Sequence, residues 1–419
     1  MTTTGRTSLL RGHTLDLSPL RASRPYRNLL LGDAVSVIGT QVTAVAVPLQ
    51  VYAQTRSAAA VGLVGLAGLV PLVLLGLYGG AVADAVDRRR LVLATTTGQA
   101  VLSTVLLVQA ATDLRQTWLL YAVVAAQSGL FALDSPARQA FIPRLLPVEL
   151  LPAGNALRQL EFGLGTTLGP LLAGGLVYGF GFGAAYGLDA VSFTATLWAV
   201  ASLPTMRPDG GGRRAGLASV VEGLAFLRTR SVLLLTFVVD IIAMVFGMPR
   251  ALFAPLSDQV YGTGEAGAGA LYSALAIGGL LGAVFSGRLG RVHRQGVAVV
   301  VAIVAWGACI VGVGLAGHLW VALALLACAG AADAVSAVFR TAILQAAAPD
   351  EMRGRLGGVF IVVVAGGPRL GDARAGGGAT LVGLRGSVLA GGLTVIGLTV
   401  LVAAVVPKLL AYDSRHPHA

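Results

Sequence analysis

Stretches of 17 to 27 residues without a charged side chain recur along this chain, among them 57–83, 91–112, 116–133, 190–206, 266–287, 296–317 and 386–407. A helix needs about 20 mostly apolar residues to cross a bilayer, so each stretch is a candidate membrane span. Further apolar runs are broken only by isolated charges. Residues 28–54 contain Asp33, 231–249 contain Asp240 and 319–340 contain Asp333, while 151–183 and 356–384 carry small charge groups. The total is about twelve spans at the usual helical length. Period-two alternation is absent, so the expected fold class is an all-α membrane protein rather than a β-barrel. The first run is too long for a cleavable signal peptide, and a polar arm precedes it. Only 12% of the 419 residues are charged and 56% are hydrophobic, where a soluble domain has about a quarter charged. Those proportions exclude an ordinary soluble enzyme and a disordered chain.

The net charge of +11, from 30 basic and 19 acidic residues, raises the question of an anionic partner. Placement answers it. Arg21, Arg24 and Arg27 precede span one, Arg88, Arg89 and Arg90 follow span two, and Arg138 and Arg144 follow span four. Arg207, Arg213, Arg214, Arg228 and Arg230 lie between spans six and seven, and Arg288, Arg291 and Arg294 follow span eight. The alternate loops hold little beyond Arg56, Arg115, Arg250 and Arg385. The positive-inside rule then puts both termini in the cytoplasm, as an even number of spans requires. The basic excess is a topology signal, and nucleic acid is not an expected partner.

An internal repeat appears at an offset of 202 residues. Gly165, Gly169 and Gly174 match Gly367, Gly371 and Gly376 (367 − 165 = 202), and Arg138 matches Arg340. Gly80 and Arg89 match Gly282 and Arg291 at the same offset. The halves run in the same direction, as parallel repeats of six helices each. The expected organisation is a cytoplasmic arm (1–24), an N-terminal bundle (25–203), a cytoplasmic linker with an amphipathic helix (204–230), a C-terminal bundle (231–408) and a cytoplasmic tail (409–419). Two similar halves around a seam suit alternating access, with substrate bound near mid-membrane.

The loop after span two reads Gly80-Ala-Val-Ala-Asp84-Ala-Val-Asp87-Arg88-Arg89-Arg90. It resembles the signature loop of the major facilitator superfamily, with Ala85 and Asp87 as departures. Asp84 at a helix end is suited to capping a neighbour or pairing with an arginine, a conformational latch formed with Gly80, Arg88, Arg89 and Arg90. Gly165, Gly169, Pro170, Gly174 and Gly175 resemble the glycine-proline motif of superfamily antiporters, although small residues also serve plain helix packing. Arg24-Pro-Tyr-Arg27, Ala46-Val-Pro48, Asp134-Ser-Pro-Ala-Arg138 and Gly371-Asp372 resemble the drug:proton exporter branch, which includes siderophore exporters of the enterobactin type and macrolide efflux proteins. The resemblance implies twelve helices, proton drive and outward movement of a small molecule across the inner membrane. It favours a siderophore, with multidrug or macrolide efflux by antiport as the alternative.

Ionisable residues inside a membrane cost roughly 2.5–3.5 kcal/mol on insertion scales, so each is a functional candidate. Asp33, Asp240, Asp333 and Asp372 are the candidates for proton coupling. Asp189, near the outer end of span six, reads as structural. Span eleven carries Gly367-Pro-Arg369-Leu-Gly-Asp372-Ala-Arg374 where span five is apolar. Arg369 and Asp372 are three apart and suited to pairing on one face, which leaves Arg374 to meet an anion. A charged network that locks the second half is the competing reading. Arg369, Arg374, Gln41, Tyr272 and Trp306 are the candidates for lining a substrate cavity. Cys309 and Cys328 read as buried free thiols. No histidine falls mid-span at metal-ligand spacing, and no phosphate-cradling loop appears, so neither a metal, a cofactor nor an enzyme activity is expected. The expected partners are a small-molecule substrate, protons and the lipid bilayer, acting on a monomer.

Overall fold

In the computed structural model, residues 16–207, 222, 225–285, 292–347 and 350–413 are described. Most of the linker, including most of its expected amphipathic helix, lies outside them, as do the first 15 and last six residues. Among the described residues, ten helices are long and apolar enough to cross a membrane. We number them α1 (Arg24–Thr55), α2 (Ala58–Ala85), α3 (Arg88–Ala111), α4 (Thr117–Gln139), α5 (Leu151–Ala201), α6 (Ser231–Gly247), α7 (Gly264–Phe285), α8 (Gln295–Leu315), α9 (Leu319–Ala347) and α10 (Asp350–Val405). Two are double length. α5 turns at Gly181 and α10 at Gly383, with φ of 78° and 75°, a left-handed conformation that glycine adopts without a side-chain clash. Each therefore contributes two crossings, and ten helices give twelve (10 + 2 = 12).

Local chemistry starts the helices where the sequence permits. The Ser23, Ser57 and Asp87 side chains accept from the amides of Tyr26, Ala60 and Arg90, capping α1, α2 and α3. Large apolar side chains then face outward. Trp118 and Trp320 are 63% and 80% exposed at the starts of α4 and α9, equivalent positions (320 − 118 = 202) suited to a bilayer interface.

The repeat is stepped rather than constant. Gly169 abuts Gln41 as Gly371 abuts Met248 (371 − 169 = 202, but 248 − 41 = 207). Gly187 meets Leu107 as Leu389 meets Gly314 (389 − 187 = 202, but 314 − 107 = 207). So α1–α3 map onto α6–α8 at 207, and α4–α5 onto α9–α10 at 202. The step arises because α8 is three residues shorter than α3 (21 against 24) and the following loop is two shorter. The match of Gly80 with Gly282 is corrected accordingly. Gly282 packs on Ala331 as Leu75 packs on Gly129 (282 − 75 = 207).

The start of α1, the α2–α3 loop and the end of α5 share one face, the terminal face. Met206 N donates to Asp87 and Arg88 N donates to Met206 O, while Tyr26 Oη donates to Gly154 O. On the opposite, distal face the halves are clasped. Arg56 pairs with Asp258 at 2.8 Å, Tyr52 Oη donates to Asp258, and Gln259 donates to Tyr52 Oη at 2.7 Å. Below the clasp, small residues let the helices of the two halves touch. Gly174 of α5 meets Gly269 of α7, and Gly376 of α10 meets Gly62 of α2. These contacts close the seam on its distal side.

Candidate functional site

The step in the repeat brings two charges into register. Asp33 and Asp240 occupy equivalent positions on α1 and α6 (240 − 33 = 207), and Arg138 and Arg340 occupy equivalent positions on α4 and α9 (340 − 138 = 202). In each half the two are joined. Arg138 Nη1 lies 3.0 Å from Asp33 Oδ1, and Arg340 Nη1 is in contact with Asp240 Oδ1. Asp33, Asp240 and Arg340 are all under 10% exposed. A pair so buried survives only when further partners compensate its lost hydration.

Those partners differ. Arg138 also contacts Asp134 Oδ2 at 2.8 Å and donates to Thr96 Oγ1 at 2.7 Å. Thr95 donates to Asp134, and Thr196 donates to Asp33 Oδ1. In the second half Ser336 replaces Asp134 (336 − 134 = 202), and the second acid comes from Asp333, 3.7 Å from Arg340 Nη2 and 38% exposed. A small void lies against the pair, lined by Thr236, Phe237, Asp240, Arg340 and Leu344.

The charges of span eleven do not pair as expected. Asp372 Oδ1 instead accepts from Ala251 N at 3.0 Å and so anchors the turn that ends α6. Arg369 crosses the seam, donating to Gly68 O at 3.1 Å and Ser128 Oγ at 3.4 Å on the first half. Arg374 does not point along that route. Its guanidinium lies against Gly391 and, at 3.5 Å, Ser387 O, within its own half.

Other expected site residues fall in three places. Gln41 packs on Gly169, and Tyr272 Oη donates to Arg250 O beside Phe253. Trp306 is not at the seam. It is 2% exposed in the core of the second half, against Gly247, because α8 turns that face inward. Cys328 is exposed rather than buried, while Cys309 is half-buried.

The α2–α3 loop is tied within its own half. Asp84 pairs with Arg88 at 3.2 Å, and Arg89 donates to Val200 O at 3.2 Å. Asp87, where the superfamily commonly has glycine, caps α3 beside the exposed Arg90, and Gly80 lies in the last turns of α2. Of the packing glycines, Gly165 meets Val37, Gly169 meets α1, and Gly174 meets α7, with Pro170 O against Gly269. Gly367 and Gly371 meet α6 and Gly376 meets α2, whereas Gly175 has open space beside it.

Three features escaped sequence reading. Arg138, which the sequence places after span four, and its repeat match Arg340 are the centres of the two networks. A stepped offset would have found them with Asp33 and Asp240. The Arg56–Asp258 clasp has no sequence signal, because two loop charges 202 residues apart meet only through the fold.

Comparison with known proteins agrees with this architecture. The family model for transmembrane secretion effectors matches residues 14–418. The enterobactin exporter EntS of Escherichia coli strain SMS-3-5 is 30% identical over 420 residues, 96% of this chain and 98% of its own. EntS of Shigella boydii serotype 18 is 30% identical over 403 residues, covering 93% and 94%. A POT family transporter solved with 5-aminolevulinic acid superposes with a TM-score of 0.74 at 12% identity, covering 92% of this chain and 97% of its own. A bacterial homologue of the iron transporter ferroportin, in an inward-facing state, gives 0.68 at 15% identity, covering 93% and 99%. At these identities the solved structures speak for the fold alone. Matched along nearly its whole length by the family model and by exporters of similar size, the chain is a transporter, not an enzyme, and belongs to the transmembrane secretion effector family of the major facilitator superfamily.

Proposed function

We propose that this protein exports a siderophore of the enterobactin type across the bacterial cytoplasmic membrane, by alternating access driven by the proton gradient. The observation that carries the substrate class is the 30% identity to EntS over 96% of the chain. Both termini lie in the cytoplasm on this reading, because the α2–α3 loop with its Arg88–Arg90 run lies on the terminal face beside the start of α1 and the end of α5. The clasped distal face is then the outer one. One chain holds both halves of the pathway, so a monomer suffices.

In this mechanism the two halves rock about the seam and expose it to one side at a time. Glycine stripes on α2, α5, α7 and α10 permit the close outer contact and its release. Arg369 faces that seam with a carbonyl and a hydroxyl as its hydrogen-bond acceptors among the described residues, which suits it to attract an anionic chelator. Asp33, Asp240 and Asp333 are each held against an arginine, and protonating such an acid frees its arginine to re-pair. That exchange is the proposed proton coupling, with Asp372 acting through the end of α6.

Uptake into inverted membrane vesicles tests the reading. A catecholate siderophore should accumulate with a proton gradient and stop accumulating when it is collapsed. Accumulation of a macrolide alone would replace the substrate class with drug efflux. Asp240→Asn should abolish gradient-driven accumulation while leaving downhill exchange, and undiminished accumulation would remove that acid from the coupling. Arg369→Gln should weaken export of anionic substrates more than that of neutral ones.

A further inference from the structure

The two arginine networks do not account for one further carboxyl. Asp189, on the limb of α5 after Gly181, is 1% exposed about 12 Å below the distal turn at the helical rise. Its Oδ2 accepts from Thr43 Oγ1 of α1 at 2.7 Å and from Ser103 Oγ of α3 at 2.6 Å. Gln127 of α4 donates to Ser103 Oγ in turn. Its other oxygen, Oδ1, is buried with no hydrogen-bond partner. No cation reaches it among the described residues. Many titratable groups on the packed helices are engaged elsewhere. Asp33 and Asp134 both bind Arg138, Tyr52 is in the distal clasp, and Tyr121 donates to Ala60 O. Arg88 pairs with Asp84, Arg89 binds the end of α5, and Tyr186 donates to Gln50.

An ionised carboxylate spreads its charge over both oxygens, and a dry, bare Oδ1 leaves half of it uncompensated. A proton on Oδ1 removes the charge and leaves Oδ2 as the carbonyl that the two hydroxyls already bind. The equivalent positions of the second half carry no such set. Thr43, Ser103 and Asp189 become Arg250, Ile310 and Gly391 there (250 − 43 = 207; 310 − 103 = 207; 391 − 189 = 202).

We propose that Asp189 is an intramembrane proton-binding site, occupied when the distal side is closed and separate from both arginine networks. It is linked to the moving parts through α1, because Gln41, two residues before Thr43, sits on Gly169 of the helix that carries the seam contact Gly174. The use of this proton rests on the proton-driven reading above, but its presence is measured without transport, so the two can fail separately.

Infrared difference spectroscopy of the full-length protein in lipid at neutral pH tests it. The carbonyl-stretch band of a protonated acid should be present in the wild type, lost in Asp189→Asn and retained in Asp372→Asn. Should Asp189→Asn fold poorly, Thr43→Val supplies the second reading. Removing one donor to Oδ2 should shift that band to higher frequency. A band that is absent, unchanged in Asp189→Asn or unmoved in Thr43→Val overturns the proposal. Replacement of the band by a carboxylate signal on adding sodium overturns it in favour of a metal-cation site.

Discussion

Arg138 in the first half is gripped by Asp33, Asp134 and Thr96 at 2.7–3.0 Å, whereas Arg340, its counterpart, has Asp240 in contact and Asp333 only at 3.7 Å. The same fold delivers the same Asp–Arg pair to both halves, yet Arg138 has all three guanidinium nitrogens engaged while Arg340 has a void beside it and a partly exposed second acid. The difference traces to one position. Asp134 stands one turn before Arg138 on α4, and Ser336 stands there on α9, so the second acid must come from another turn of the helix. An arginine whose donor nitrogens are all engaged, as in Arg138, resists rearrangement, while one with a distant second acid keeps a choice of partners. On this view the second half exchanges charge more readily than the first.

The sharpest way to break this comparison is to remove each arginine in turn. Arg138→Gln strands two buried acids, and loss of one partner of a buried pair costs about 3–5 kcal/mol. Arg340→Gln strands one buried acid and one that water can reach. Thermal unfolding of the purified protein should therefore drop further for Arg138→Gln, and equal drops would end the claim of asymmetry. Arg369→Ala should cost less, about 1.5–3 kcal/mol for charged hydrogen bonds, because it holds only neutral acceptors across the seam. Its effect should show as a population with the distal side open in spin-label distance measurements.

Gly269→Leu and Gly62→Leu offer a symmetrical test at equivalent positions (269 − 62 = 207). Each side chain would strike backbone of the opposite half, at Pro170 and Asp372 (372 − 170 = 202). Overpacking of this kind costs about 1–3 kcal/mol. Both variants should open the distal side to a similar degree, and a one-sided result would show that the halves do not share the closing load. The smallest effect belongs to Arg56→Ala. Its pair with Asp258 is 68% and 42% exposed, and such surface pairs are worth about 0–1 kcal/mol. Unfolding should barely change, with any effect confined to the distal spin-label distance at low salt.

Much of the fold is legible in the amino-acid sequence. Uncharged runs of bilayer length, arginines in alternate loops and a glycine frame repeated at 202 specify two six-helix halves, because a bilayer admits few other ways to satisfy backbone polar groups. The acids at 33, 240 and 333 were also recognisable, since charge in an apolar run is conspicuous. Their partners were less so. Arg138 and Arg340 sit at helix ends where arginines ordinarily report topology, and a constant offset hid the correspondence of Asp33 with Asp240. Span eleven shows the opposite failure. Spacing of three suggested that Arg369 and Asp372 pair, but tertiary neighbours offered each a better partner, at Gly68 and at Ala251.

The sequence by itself determined that this chain spans a membrane, how many times, and which helices repeat, because hydropathy and loop charge act locally along the chain. Only the tertiary structure decided which charges meet. Arg56 reaches Asp258, Arg369 reaches Ser128, and Asp189 receives Thr43 and Ser103 across separations of 86 to 241 residues. In a medium that solvates no charge, those meetings fix whether a buried acid is held by a cation or is left to keep a proton.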